Sequence, residues 1–125
     1  FLLLTMPGTY HALLEAGITD DYTMGFADNI GFRAGTAFPF YWFDLSTDTE
    51  TLLLVHPFVA MDVTIRDYLN LKPSEAFGKM KSMLDGVKQN GGTFTLLWHN
   101  SSFTDAEGWS EWKSGLVEFF EGNQE

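Results

Sequence analysis

The chain has 125 residues, a net charge of −10 and no cysteine. Its length limits it to one domain, and the lack of cysteine excludes disulfides, thiolate metal sites and cysteine nucleophiles. Seven scattered basic residues cannot neutralise a phosphate backbone, so nucleic acid is not an expected partner, and an anionic membrane surface is disfavoured for the same reason. No apolar run approaches the length of a membrane span. Aromatic residues make up 16% of the chain, many for a small interior. Either several line a cleft or face a partner, or the core is simply large with a few rings left outside.

Phe1 to Leu4 reads as a strand, and this abrupt apolar opening without Met is expected of a cut inside a larger protein. Pro7 suits the first turn of a helix, predicted over Thr9 to Ala16 with Leu13 and Leu14 inward and Gly17 as its stop. Asp20-Asp21 reads as a turn, Tyr22 to Phe26 as a strand and Ala27 to Ile30 as a polar loop. Phe32-Arg33 starts another short strand. Phe38 to Leu45 is aromatic and extended, and Ser46 to Glu50 is a turn. Leu52 to Val55 reads as a buried strand that Pro57 interrupts, with Phe58 to Met61 continuing on another path.

Ile65 to Leu69 reads as a short helix. Pro73 opens the clearest helix, Ser74 to Gln89, in which Phe77, Met80, Leu84 and Val87 recur at spacings of three, four and three. Asn90-Gly91-Gly92 ends it. Thr93 to Trp98 is β-branched and aromatic, the composition of a buried strand. Thr104-Asp105-Ala106-Glu107 has the form of a capping box before a helix through Phe120, whose inner face carries Trp109, Trp112, Leu116, Phe119 and Phe120. Strands alternating with helices predict an α/β fold with a mostly parallel sheet and a right-handed crossover.

His99 follows the predicted strand directly, at the end where α/β folds place their chemistry. Imidazole titrates near neutrality and suits a general acid or base; the plainer reading is a histidine that caps the sheet. Arg33 suits a bidentate grip on a carboxylate, or a structural salt bridge. Asp62 either orients His99 or caps the helix that follows. Trp42 and Trp98 are candidates for a cleft wall that stacks a sugar, whereas Trp109 and Trp112 have helix-core spacing. His11 is expected to face solvent from its helix, and His56, before Pro57, to be structural. The aspartates lack calcium-loop spacing, and no H-x-x-x-H or H-E-x-x-H pair, nucleophile elbow or phosphate loop is present. The segment alone therefore offers no metal site.

Taken together, Thr9-Tyr10, Glu15-Ala16-Gly17-Ile18, Asp21 to Ala27, Gly31-Phe32-Arg33-Ala34-Gly35-Thr36, Pro39-Phe40, Met61-Asp62 and Leu96-Leu97-Trp98-His99-Asn100 resemble the C-terminal half of a polysaccharide deacetylase (NodB-like) domain. More closely, they resemble a bacterial branch of deacetylases encoded near surface-polysaccharide genes. The resemblance runs from about Pro7 to Trp112. It implies the C-terminal part of a distorted (β/α) barrel, and hydrolysis of N- or O-acetyl groups on a polysaccharide or oligosaccharide by a water activated on a divalent metal, zinc by expectation. Within it His99 is the general acid, Asp62 tunes His99, Arg33 positions a catalytic-base aspartate, and Leu97 lines the acetyl pocket. The usual arginine motif carries a proline close behind; here Ala34-Gly35-Thr36 intervenes and the next proline is Pro39.

The family's acidic pair and H-x-x-x-H ligands would precede Phe1. Residues 1–125 are thus expected to be a single segment, inactive in isolation, that self-associates or packs on the missing N-terminal half. A cytoplasmic place is the expectation over an exported one. The alternatives are a non-catalytic carbohydrate-binding module built on Trp42 and Trp98, and an assembly domain whose aromatic face meets a partner.

Overall fold

A computed structural model describes residues 3–106 and 108–124. In chain order the elements are helix α1 (Gly8–Glu15), strands β1 (Asp20–Asp21), β2 (Phe40–Asp44), β3 (Thr49–Val55) and β4 (Ala60–Met61), a π-helical turn (Thr64–Tyr68), helix α2 (Pro73–Asn90), strand β5 (Leu96–Leu97), a 3₁₀ turn (Asn100–Ser102) and helix α3 (Ser110–Glu121). The fold is mixed α/β. One sheet has the order β1-β3-β2, and β4 and β5 form a second. The β1–β3 and β4–β5 pairs are parallel and β2–β3 is antiparallel. The described strands do not close into a barrel.

The path from β3 into β4 is the spine of the molecule. The backbone N–H groups of Leu54, His56 and Phe58 donate in turn to the carbonyls of Thr19, Asp21 and Met24, at 2.8, 2.8 and 3.1 Å. Alternate residues point to opposite edges of a strand, so the missing N–H of Pro57 falls on the other edge, just past the last β2 pair, Phe40–Val55. A proline is tolerated there because no ladder bond is lost. Val59 then donates to the Thr95 carbonyl at 2.8 Å, and the second sheet begins. One extended path thus serves both sheets.

The first sheet buries one face. Trp42, Leu53 and Val55 point inward and pack with Tyr10, Leu13 and Leu14 of α1. Helix α1 ends as the sequence predicts: Gly17 takes a left-handed φ of 74°, its N–H donates to Leu14 O, and Ile18 N–H donates to Leu13 O. This is the 6→1 and 5→2 pattern that a glycine makes easy.

The second sheet lies on α2 and α3. Ala76 and Met80 of α2 pack with Val59, Ala60 and Ile65, and with Trp112 and Phe119 of α3. Phe77 sits between the helices, its ring centroid 6.1 Å from Trp112 and 5.9 Å from Phe119. Pro73 opens α2, and the Glu75 carboxylate accepts the Lys72 N–H at 3.1 Å. Gly91, at φ 85°, ends it.

Several predicted elements are corrected. Asp20-Asp21 is a strand, because its backbone completes a parallel ladder with β3. Residues 22–26 are not a strand, although Met24 still receives one bond from the spine. Phe32-Arg33 is not a strand either: Gly35 N–H donates to Phe32 O at 2.9 Å, closing a turn with Arg33 inside it. Of the opening stretch, Leu3 and Leu4 are not in a strand, and Phe1 and Leu2 lie outside the described residues. Helix α3 starts at Ser110, after Gly108 at φ 75°, a conformation that a helix running from Thr104 cannot contain. Thr104 Oγ1 does accept the Ala106 N–H at 3.3 Å; Glu107, the other half of the expected capping box, lies outside the described residues. No helix among the described residues is long and apolar enough to cross a membrane.

Two glycines separate packing from propensity. A Cβ on Gly25 would overlap the Phe58 ring, whereas one on Gly78, in the middle of α2, meets nothing within 4 Å. Gly25→Ala should cost about 1–3 kcal/mol, the usual penalty of overpacking, and Gly78→Ala should stabilise by up to about 1 kcal/mol through helix propensity. Urea unfolding of the two variants measures both signs.

Candidate functional site

Asp62 follows β4 by one residue and His99 follows β5 by two, so parallel pairing of Met61 with Leu97 brings them to the same end of the second sheet. The Asp62 side chain is fully buried, and the His99 ring is 46% exposed. His99 Nδ1 lies 2.6 Å from Asp62 Oδ1. The His99 backbone N–H donates to Oδ2 at 3.1 Å, and Val63 N–H donates to Oδ1 at 2.9 Å. An ionised carboxylate only accepts, so Nδ1 carries the proton and Nε2 holds the free lone pair. Among the described residues Nε2 makes no hydrogen bond. The arrangement fixes the tautomer and the ring, and presents one titratable nitrogen outward.

The flanks of this pair differ. Leu96 and Trp98 pack against the core around Met80 and Trp112. Successive side chains of a strand point to opposite faces, so Leu97 lies on the His99 side. Leu97 is partly buried. Trp98 is partly buried against the core, in edge contact with Trp109, with centroids 6.5 Å apart and a buried indole N–H that has no hydrogen-bond partner among the described residues. Arg66, within the π-helical turn, covers Trp109 at 4.1 Å. Such turns recur near functional sites, and this one starts two residues after Asp62.

The remaining predicted site residues are not brought to the pair. Trp42 is buried in the other core cluster, in edge contact with Tyr10 and His11 at 5.3 Å, so it forms no cleft wall beside His99. Arg33 is exposed in its turn and makes no bond to Asp62 or His99. Its charge acts instead on the buried Tyr10 phenol, opposing the upward push of burial and of Asp21. A groove of about 950 Å³ between α2 and α3, lined by Phe77, Lys81, Glu111 and Gly115 among others, contains none of these residues.

No family model, curated protein or solved structure matches the chain. The chemistry of the site rests on its own geometry. Among the described residues no three His, Cys, Asp or Glu side chains converge as a metal site, and His99 Nδ1 is already engaged. The family resemblance places the acidic pair and the histidine ligands of its metal before Phe1, not among these residues.

Each of the three histidines in the chain is paired with an aspartate, and two of these pairs escape a reading of the sequence. His11 Nε2 lies 2.7 Å from Asp44 Oδ2, and His56 Nε2 lies 2.8 Å from Asp20 Oδ1. His11 is therefore not simply solvent-facing. The signal for Asp44 is its parity with Trp42 on β2, which turns it to the buried face. In both pairs the bond uses Nε2; only His99 bonds through Nδ1 and leaves the distal nitrogen outward. The Ser46 hydroxyl and amide, with His11, hold the Asp44 carboxyl well below its usual range, and His56 with Thr19 lowers Asp20.

Two measurements follow. Nitrogen-15 shifts of the neutral His99 ring should show the Nδ1–H tautomer, and should lose that preference in Asp62→Ala; an Nε2–H tautomer in the parent chain would contradict the geometry. A carboxylate with a depressed folded pKa stabilises the fold above its unfolded value and loses that contribution as the pH falls. Wild type should therefore exceed Asp44→Asn in stability at neutral pH, with the gap closing below about pH 4, the ordinary range of an aspartate. A gap independent of pH would remove Asp44 from acid sensitivity.

Proposed function

We propose that this chain supplies the proton-delivering side of a hydrolase that removes acetyl groups from sugars, as the C-terminal part of a polysaccharide deacetylase-type barrel. The observation that carries the reading is the Asp62–His99 pair, with a buried carboxylate on Nδ1 and Nε2 facing outward. A protonated Nε2 gives its proton to the departing amine nitrogen or alkoxide oxygen as the acyl bond breaks, and the ring returns to the neutral form. Asp62 holds Nδ1–H throughout and stabilises the imidazolium, the role of a buried orienting carboxylate. Leu97, on the same side of β5, offers an apolar wall for the acetyl methyl group.

Arg33 belongs to this proposal only as the resemblance places it, holding a base aspartate. The divalent metal of the resemblance has no ligand set among the described residues, so the proposal assigns this chain only the proton transfer and the positioning.

In the full-length protein, His99→Ala should lower release of acetate from an N-acetylated chitooligosaccharide by about 10²–10⁴-fold, the range of general acid–base catalysis. Asp62→Asn should lower turnover and move one limb of the pH–rate profile. Unchanged turnover in His99→Ala removes the histidine from the reaction and leaves it a cap on the sheet.

A further inference from the structure

We propose that Tyr22 and His56 form a stacking platform for a pyranose ring, a sugar subsite distinct from the Asp62–His99 pair; the choice of ligand class rests on the sugar-hydrolase reading above. The β1–β3 register pairs Asp20 with Leu54 and Asp21 with Val55, so the next step sets Tyr22 opposite His56. Asp21 and Val55 are buried, and alternation turns Tyr22 and His56 to the other face of the sheet. There the two rings lie nearly parallel, 3° apart with centroids at 4.2 Å.

Tyr22 is 53% exposed. The imidazole covers one face of the phenol ring, and the rest of the side chain is half open to solvent. The imidazole behind it is held by a chain of bonds. His56 Nε2 meets Asp20 Oδ1 at 2.8 Å, and the Thr19 hydroxyl donates to Asp20 Oδ2, also at 2.8 Å. The imidazole half of the platform therefore loses little side-chain freedom on binding, which is how preorganisation raises affinity.

The chemistry of the surface suits a pyranose. A pyranose presents a flat face of C–H groups and a rim of hydroxyls. The C–H face, slightly positive, lies on the negative face of an aromatic ring, and the half-exposed Asp20 carboxylate at the platform edge accepts a rim hydroxyl. The platform stands beside β3, and the spine continues from His56 through six residues to Asp62. As a second subsite, the platform holds a sugar unit of an extended substrate other than the one being hydrolysed.

The test is a titration of the chain with an N-acetylated chitotetraose, followed by calorimetry and by the Tyr22 ring signals. Wild type and Tyr22→Phe, which keeps the flat ring, are expected to bind equally. Tyr22→Leu, which keeps apolar bulk without a flat π face, and His56→Ala are expected to bind about three- to tenfold more weakly, the range of an aromatic contact. Amide spectra report whether each variant is folded, and Tyr22→Leu is decisive if His56→Ala is not. Equal binding by wild type and Tyr22→Leu, or no binding by wild type, overturns the proposal. So does a concentration-dependent shift of the Tyr22 signals without sugar that sugar leaves unchanged, which assigns the face to protein contact. Acetate release by the full-length protein is read separately. Tyr22-dependent binding without acetate release keeps the platform and rejects the hydrolase reading. Acetate release with a KM for the tetraose unmoved by Tyr22→Leu does the reverse.

Discussion

A carboxylate cannot be removed from water without replacing the hydrogen bonds that water gave it, and Asp62 is fully enclosed. The replacements come from separate places: the amide of the next residue, the amide of His99 and the imidazole of His99. Satisfying Asp62 therefore requires β4 and β5 in register and the chain turning at Val63. The register in turn needs the βαβ crossover through α2, whose buried Met80 and Ala76 hold the sheet from behind. The buried carboxylate is thus satisfied in part by a histidine that bonds through Nδ1 and leaves Nε2 without a bond among the described residues.

The three His–Asp pairs show how one pair of residue types serves different ends. His11 and Asp44 join α1 to the edge strand β2, and the hydroxyl and amide of Ser46 share the same carboxylate. His56 and Asp20 tie β3 to β1 across a parallel step. In both, the imidazole reaches its partner through the distal nitrogen, and the bond is a brace between elements. In the third, the proximal nitrogen is bound to a carboxylate that has no solvent contact. Atom choice and burial distinguish these roles, and neither is written in a list of histidines.

Much of the helical structure is legible in the sequence because local signals set it. The 3-4-3 spacing of Phe77, Met80, Leu84 and Val87 places α2, Pro73 opens it, and Gly17 and Gly91 stop their helices through left-handed backbone. The strands are less legible. Asp20-Asp21 looks like a turn in composition and becomes a strand only because β3 supplies a ladder; Phe32-Arg33 looks like a strand and becomes a turn because the glycines on each side allow the chain to fold back. Of the site, Asp62 and His99 are visible as polar residues at the ends of apolar runs. The burial of Trp42 is not, since an aromatic strand shows which residues alternate but not which face the helix covers.

The order of contacts along the chain has a consequence for how the molecule assembles. The β2–β3 hairpin joins neighbours across a short turn, while Asp62 and His99 stand 37 residues apart. Closing the longer loop costs more chain entropy and yields its reward only after α2 has docked. The hairpin can therefore form early and locally, and the Asp62–His99 pair closes later. On the same argument a partly opened chain loses its His99–Asp62 geometry before its hairpin, so the histidine ring and the secondary structure report on different stages of unfolding.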